Sequence, residues 1–153
     1  MERELRWSSA EETRAFGRQL GAVLRAGDLL VLTGDLGAGK TTLTQGIAEG
    51  LGVRGPITSP TFVIARVHPS LVGGPPLVHV DAYRLGSTVE LDDLDLDADL
   101  DESVTIVEWG AGLVEQLSDT RLEISLTGDD VRTATLVGVG ARWDEVLEAV
   151  GIP

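Results

Sequence analysis

An α/β domain is the fold class this sequence predicts, and three observations predict it. Apolar runs of strand length alternate with helix-like runs along the chain. The stretch "VLTGDLGAGKTTLTQGIAEGLG", Val31 to Gly52, sets a glycine-rich turn between one of each, and two further apolar runs, "PLVHVD" and "VTIVE", end in a carboxylate. The chain has 153 residues, enough for one ordinary domain with a sizeable core. It contains neither an internal repeat nor a dividing linker, so residues 1–153 are expected to form one domain.

Each element has its own local reason. A short strand over Arg3 to Trp7 opens the chain. Ser9 with Glu12 three residues later makes a capping box, and Phe16, Leu20 and Leu24 keep helical spacing up to Gly27. After Asp28, "LLVLT" reads as a buried strand, and "TTLTQGIAEGLG" reads as a helix that frays at Gly50 and Gly52. The β-like runs "TFVIARV" and "PLVHVDAY", separated by "HPSLVGGPP", can pair as a hairpin. An acidic stretch follows, then the strand "VTIVEW", a short helix near "AGLVEQL", two strands around "TGDD", and a last helix from Arg142 to Val150.

Composition narrows the function. No segment reaches the roughly 18 uninterrupted apolar residues of a membrane span, and the start "MERELRWSSAEE" lacks the apolar centre of a secretory signal. Without cysteine there is neither a disulfide framework nor thiolate chemistry, and a soluble, cytoplasmic protein is expected. A net charge of −13 gives no counterion release on a phosphate backbone, so any contact with nucleic acid is expected to run through a partner.

Gly34, Gly39, Lys40 and Thr41 fit the pattern GxxxxGK[ST], set between a strand and a helix as its mechanism requires. Glycines at 34, 37 and 39 let the backbone wrap a polyphosphate with its N–H groups inward, and the helix start adds the positive end of its dipole. Asp35, Leu36, Gly37, Ala38, Gly39, Lys40, Thr41 and Thr42 are therefore the expected nucleotide-binding residues, as in a P-loop NTPase-like fold. Lys40 is the only lysine in the chain, the other eleven cationic residues being arginines. Its compact ammonium on a flexible stem suits a loop closed around the β- and γ-phosphates, where a planar guanidinium does not fit. Thr41 supplies a hydroxyl for Mg²⁺, which prefers oxygen ligands.

A phosphate loop also needs carboxylates at neighbouring strand ends. Asp81 and Glu108 meet that condition, and either can serve the Mg²⁺ shell or orient the attacking water. By strand alternation His79 shares a face with Asp81, and with no second histidine at metal spacing it reads as a packed or hydrogen-bonded residue. In "ITSPTFV", Pro60 stiffens a loop that places Thr61 twenty-one residues after Lys40. A hydroxyl there can sense the γ-phosphate, though such residues are also ordinary turn formers. The run "ELDDLDLDADLDES" lacks the glycine and glutamate of a calcium loop and reads as a solvated face.

Four blocks in this order, "GDLGAGKTT", "TSPTF", "HVDAYRL" and "VEWG", resemble the TsaE (YjeE) family of bacterial P-loop ATPases in tRNA threonylcarbamoyladenosine biosynthesis. The likeness spans about Ala10 to Leu117, and the departures within it are small: Ala82 and Ala111 stand where relatives often carry larger or polar side chains. The resemblance implies a three-layer sandwich, its central sheet mostly parallel and partly antiparallel, flanked by helices. It further implies that Lys40 and Thr41 bind phosphate and Mg²⁺, that Thr61 belongs to a switch loop, and that Asp81 and Glu108 are the functional acids. ATP is the implied nucleotide, TsaB and TsaD are the implied partners, and tRNA is reached only through their complex. Two other classes are weaker. A GTPase needs a second lysine for guanine, and a small-molecule kinase needs a basic lid, for which Arg121, Arg132 and Arg142 are the arginines left after the sheet core. A third option, a non-catalytic nucleotide-gated assembly module, differs from the ATPase reading only in whether hydrolysis matters.

Overall fold

The chain is described from a computed structural model, in which residues 2–34, 39–53, 65–81, 102–108, 120–128 and 131–150 are described. The strands are β1 (Glu2–Trp7), β2 (Leu29–Gly34), β3 (Ala65–His68), β4 (Leu77–Asp81), β5 (Val104–Glu108), β6 (Arg121–Thr127) and β7 (Arg132–Val139). The helices are α1 (Ala10–Val23), α2 (Lys40–Leu51) and α3 (Ala141–Ala149). The expected hairpin of "TFVIARV" with "PLVHVDAY" is the antiparallel pair β3–β4, and the strands around "TGDD" are the antiparallel pair β6–β7. The expected helix near "AGLVEQL" lies outside the described residues.

Two helix ends differ from expectation. Ser9 caps α1 as predicted, its hydroxyl accepting from the Glu12 N–H at 3.2 Å, while the Glu12 carboxylate reaches back to the Ser8 N–H at 2.6 Å. The helix then stops at Val23, not at Gly27, because Leu24 turns to extended backbone and its N–H bonds the Gly21 carbonyl. In α2 the expected fraying at Gly50 does not occur. The helix runs through to Leu51, and Gly52 closes it in the left-handed conformation with φ 80°.

What holds Gly50 in the helix is the neighbouring one. A methyl built on Gly50 would stand 2.2 Å from the Arg18 carbonyl oxygen, and one on Gly46 would stand 2.3 Å from that of Arg14. From the other side, methyls on Gly17 and Gly21 would stand 2.7 Å and 2.2 Å from the carbonyl oxygens of Leu43 and Ile47. Spaced four apart, these glycines line one stripe on each helix, so α1 and α2 meet backbone against backbone.

The strands form one sheet in the order β1-β7-β6-β2-β5-β4-β3. Its central four, β6, β2, β5 and β4, run parallel, and antiparallel pairs complete both sides, giving the mostly parallel, partly antiparallel sheet with flanking helices. Alternation and register sort the side chains. Leu30, Leu32, Leu77, Ile106, Leu122, Ile124 and Leu136 share one face, where they pack with Phe16, Leu20, Leu43, Ile47, Trp143 and Leu147 of the three helices. On the opposite face Leu29, Val31, Val78, Val80, Thr105 and Val107 are also buried, the pattern of parallel strands covered on both sides. Arg142 ties α3 to the helix face through two bonds to Asp28, at 2.8 and 3.2 Å, and one to the Val23 carbonyl. Arg3 donates to the carbonyls of Leu147 and Val150 at the end of α3.

Candidate functional site

The sheet brings the sequence-predicted residues to one edge. Strands β2, β5 and β4 are neighbours and parallel, so their C-terminal ends lie together. Glu108 pairs with Leu32, two residues before the start of the glycine loop at Gly34, and with Asp81 on its other side. Asp81 and Glu108 thus occupy opposed register positions at the ends of adjacent strands, as the sequence pattern required.

The loop opens at Gly34 and re-emerges at Gly39, the N-cap of α2. Gly39 has φ 101°, a left-handed backbone that a side chain would strain, and among the described residues no side chain caps the helix start. The first turn of α2 carries no acidic residue. The positive end of the helix dipole there suits an anion. Lys40 is the first helical residue and reaches back across the loop, donating from Nζ to the Gly34 carbonyl at 2.6 Å. Thr41 and Thr42 follow in the same turn, half-buried, and Thr44 anchors the turn by donating to the Lys40 carbonyl at 2.9 Å. Asp35, Leu36, Gly37, Ala38, Thr61 and Trp109 lie outside the described residues.

Glu108 is buried at 3% exposure, and His79 is fully buried beside it. His79 Nε2 comes within 3.3 Å of Glu108 Oε2, an ion-pair distance at which the N–H is not aligned on the oxygen. Among the described residues neither ring nitrogen completes a hydrogen bond. His79 is thus a packed residue next to the acid, as its position on β4 suggested, and its contact is the acid itself.

Arg132 was visible in the sequence only as one of the arginines after the sheet core. The fold sets it at the start of β7, against the phosphate loop: a methyl on Gly39 would stand 3.1 Å from Arg132 Cδ and 3.2 Å from Nε. No local signal could have placed it, because the approach depends on β6 pairing with β2.

The donors fit a magnesium nucleotide. The described groups at the sheet edge are the Thr41 hydroxyl and the Glu108 carboxylate, oxygen ligands of the kind Mg²⁺ prefers, beside an uncapped helix start suited to phosphate. Among the described residues no three His, Cys, Asp or Glu side chains converge as an all-protein metal cage, and no helix is long and apolar enough to cross a membrane.

Comparison with known proteins identifies the family of the chain. The family described as "Threonylcarbamoyl adenosine biosynthesis protein TsaE" matches residues 7–135. The tRNA threonylcarbamoyladenosine biosynthesis protein TsaE of Streptomyces coelicolor is 61% identical over 137 residues, covering 85% of this chain and 93% of that protein. Its counterpart in Bacillus subtilis is 42% identical, covering 95% of this chain and 93% of its own length. The crystal structure of Bacillus subtilis YdiB superposes with a TM-score of 0.76 at 36% identity, covering 97% of this chain and 93% of that one. The chain belongs to the TsaE family, whose role is in the biosynthesis of tRNA threonylcarbamoyladenosine.

Proposed function

We propose that this protein binds ATP with Mg²⁺ at the loop Gly34 to Thr42 and hydrolyses it in the cytoplasm. The hydrolysis serves, together with TsaB and TsaD, the threonylcarbamoyl modification of the adenosine next to the anticodon. The observation that carries this reading is the uncapped start of α2 with Lys40 Nζ held 2.6 Å from the Gly34 carbonyl across the loop. Lys40 exchanges that neutral carbonyl for phosphate oxygens, since a bond between two charged groups is the stronger one. Thr41 offers its hydroxyl to the cation. Bound Mg²⁺ supplies charge neutralisation on the transferring phosphate.

Asp81 and Glu108 divide the remaining work between them, one holding the water shell of the cation and the other orienting the attacking water. Thr61 belongs to the loop that responds to the terminal phosphate. The burial of Glu108 against His79 supports a carboxylate held in one orientation, as water positioning requires. Of the three arginines a small-molecule kinase would draw on, Arg142 is bound to Asp28 and Arg121 lies 3.5 Å from Glu123 within β6, which leaves Arg132 beside Gly39.

The transferase chemistry belongs to TsaD, and with a net charge of −13 this subunit meets tRNA only through the complex. Phosphate release measured for the protein alone, with TsaB–TsaD, and with tRNA added tests the reading. Slow release alone that rises with the partners, with no direct retention of tRNA on a filter, is expected. Fast release indifferent to TsaB–TsaD, or phosphorylation of a small acceptor, overturns it.

A further inference from the structure

The phosphate loop is bounded at both ends by one hairpin. At its start, Gly34 is paired with Leu126 of β6, so closely that a methyl on Gly34 would stand 2.6 Å from the Leu126 carbonyl oxygen. At its end, Gly39 faces Arg132, the first residue of β7, whose Cζ would lie 3.5 Å from such a methyl. β6 and β7 pair along their whole length, Arg121 with Val139 through Thr127 with Thr133, so the two contacts belong to one antiparallel pair. The space at Gly39 that a side chain would need is taken by an arginine.

That arginine is held in place. Its backbone pairs with Trp7 of β1, its side chain is half-buried, and its Nε is shielded from solvent. A cation so placed sits beside the positive end of α2, where helix polarity favours negative charge. Lys40 adds a second cation to the same turn, in a chain whose net charge is −13.

We propose that Arg132 is a positioning residue of the nucleotide site. It braces Gly39, the N-cap of α2, and sets a positive charge beside the helix start that strengthens binding of the terminal phosphates. This rests on the ATP-binding reading above and extends it to the β6–β7 hairpin. An arginine suits the role better than a lysine, because both Cδ and Nε of its longer side chain meet the Gly39 position.

The test uses the full chain with MgATP as the probe. Arg132→Ala is expected to weaken ATP binding at least tenfold and to slow phosphate release with TsaB–TsaD, while the melting temperature of the nucleotide-free protein changes little. Arg132→Lys is expected to recover part of the affinity, and millimolar guanidinium ion to recover part of the turnover of Arg132→Ala without stimulating the parent. If Arg132→Ala does not fold, the same comparison is made with Arg132→Gln and Arg132→Lys. Parent-like affinity and turnover in Arg132→Ala or Arg132→Gln, with Lys40→Ala losing ATP, overturns the proposal and leaves the ATP-binding reading intact. A parent that binds no ATP removes both. Loss of activity tracking only a lowered melting temperature, with no rescue by lysine or guanidinium, also overturns it.

Discussion

His79 Nε2 lies 3.3 Å from Glu108 Oε2, with 0% and 4% of the two side chains exposed. The register explains the meeting: on adjacent parallel strands His79 pairs with Ile106, so it stands one step along the same face from the position opposite Glu108. A buried carboxylate without a polar neighbour is unfavourable, and the imidazole is the neighbour the fold provides. His79 is thus a buried polar group set against the Glu108 carboxylate.

His79→Leu should lower phosphate release about tenfold or more, in the range seen when supporting partners of functional ligands are removed, with a smaller change in ATP affinity. His79→Gln should keep more of the rate, because its amide keeps a polar group beside the carboxylate. The stability lost on His79→Leu, read from urea unfolding, is expected to be about 1–3 kcal/mol, the usual consequence of orphaning a buried polar group. Equal losses for Leu and Gln would assign His79 to packing alone.

Lys40→Ala should abolish tight ATP binding, since the chain has no second lysine to contact the β- and γ-phosphates. Lys40→Arg should fail as well despite its retained charge, because the loop closes on a compact ammonium. Calorimetric titration with MgATP reads both. Full ATPase activity in Lys40→Arg would contradict the steric account of this lysine.

Asp81→Ala and Glu108→Ala should retain much of the nucleotide affinity and lose hydrolysis, because cation and water positioning act on the transferring phosphate rather than on ground-state binding. Parallel binding and phosphate-release assays separate the two effects. Turnover retained in both variants would show that other residues do this work.

Gly21→Ala should destabilise the fold by about 2 kcal/mol or more, as overpacking in a closed interface does. Its methyl has the Ile47 carbonyl oxygen 2.2 Å away, and neither backbone can retreat without opening the helix pair. For a chain of this size that corresponds to a fall of roughly 4–8 °C in melting temperature. An unchanged melting curve would mean that α1 and α2 are not in backbone contact.

Local signals were enough for much of this fold. Ser9 and Glu12 announced the first helix, the strand–glycine–helix pattern around Lys40 announced the loop, and carboxylates closing two apolar runs marked Asp81 and Glu108. Residues whose meaning depends on strand order were not legible. Arg132 reaches Gly39 only because β6 lies beside β2, and His79 reaches Glu108 only because β4 lies beside β5. Gly50 was misread as a fraying point, since its low helix propensity is visible along the chain whereas the Arg18 carbonyl that fills the space beside it is not.

The glycine stripes also bear on how the molecule opens. With the α1 and α2 backbones in contact through Gly17, Gly21, Gly46 and Gly50, neither helix can lose its hydrogen bonds while the other stays packed, and the pair exchanges amide protons as one cooperative unit. A nucleotide seated at the start of α2 adds its binding free energy to that shared opening. Amides along α1 would then exchange more slowly when a ligand binds at the start of the other helix.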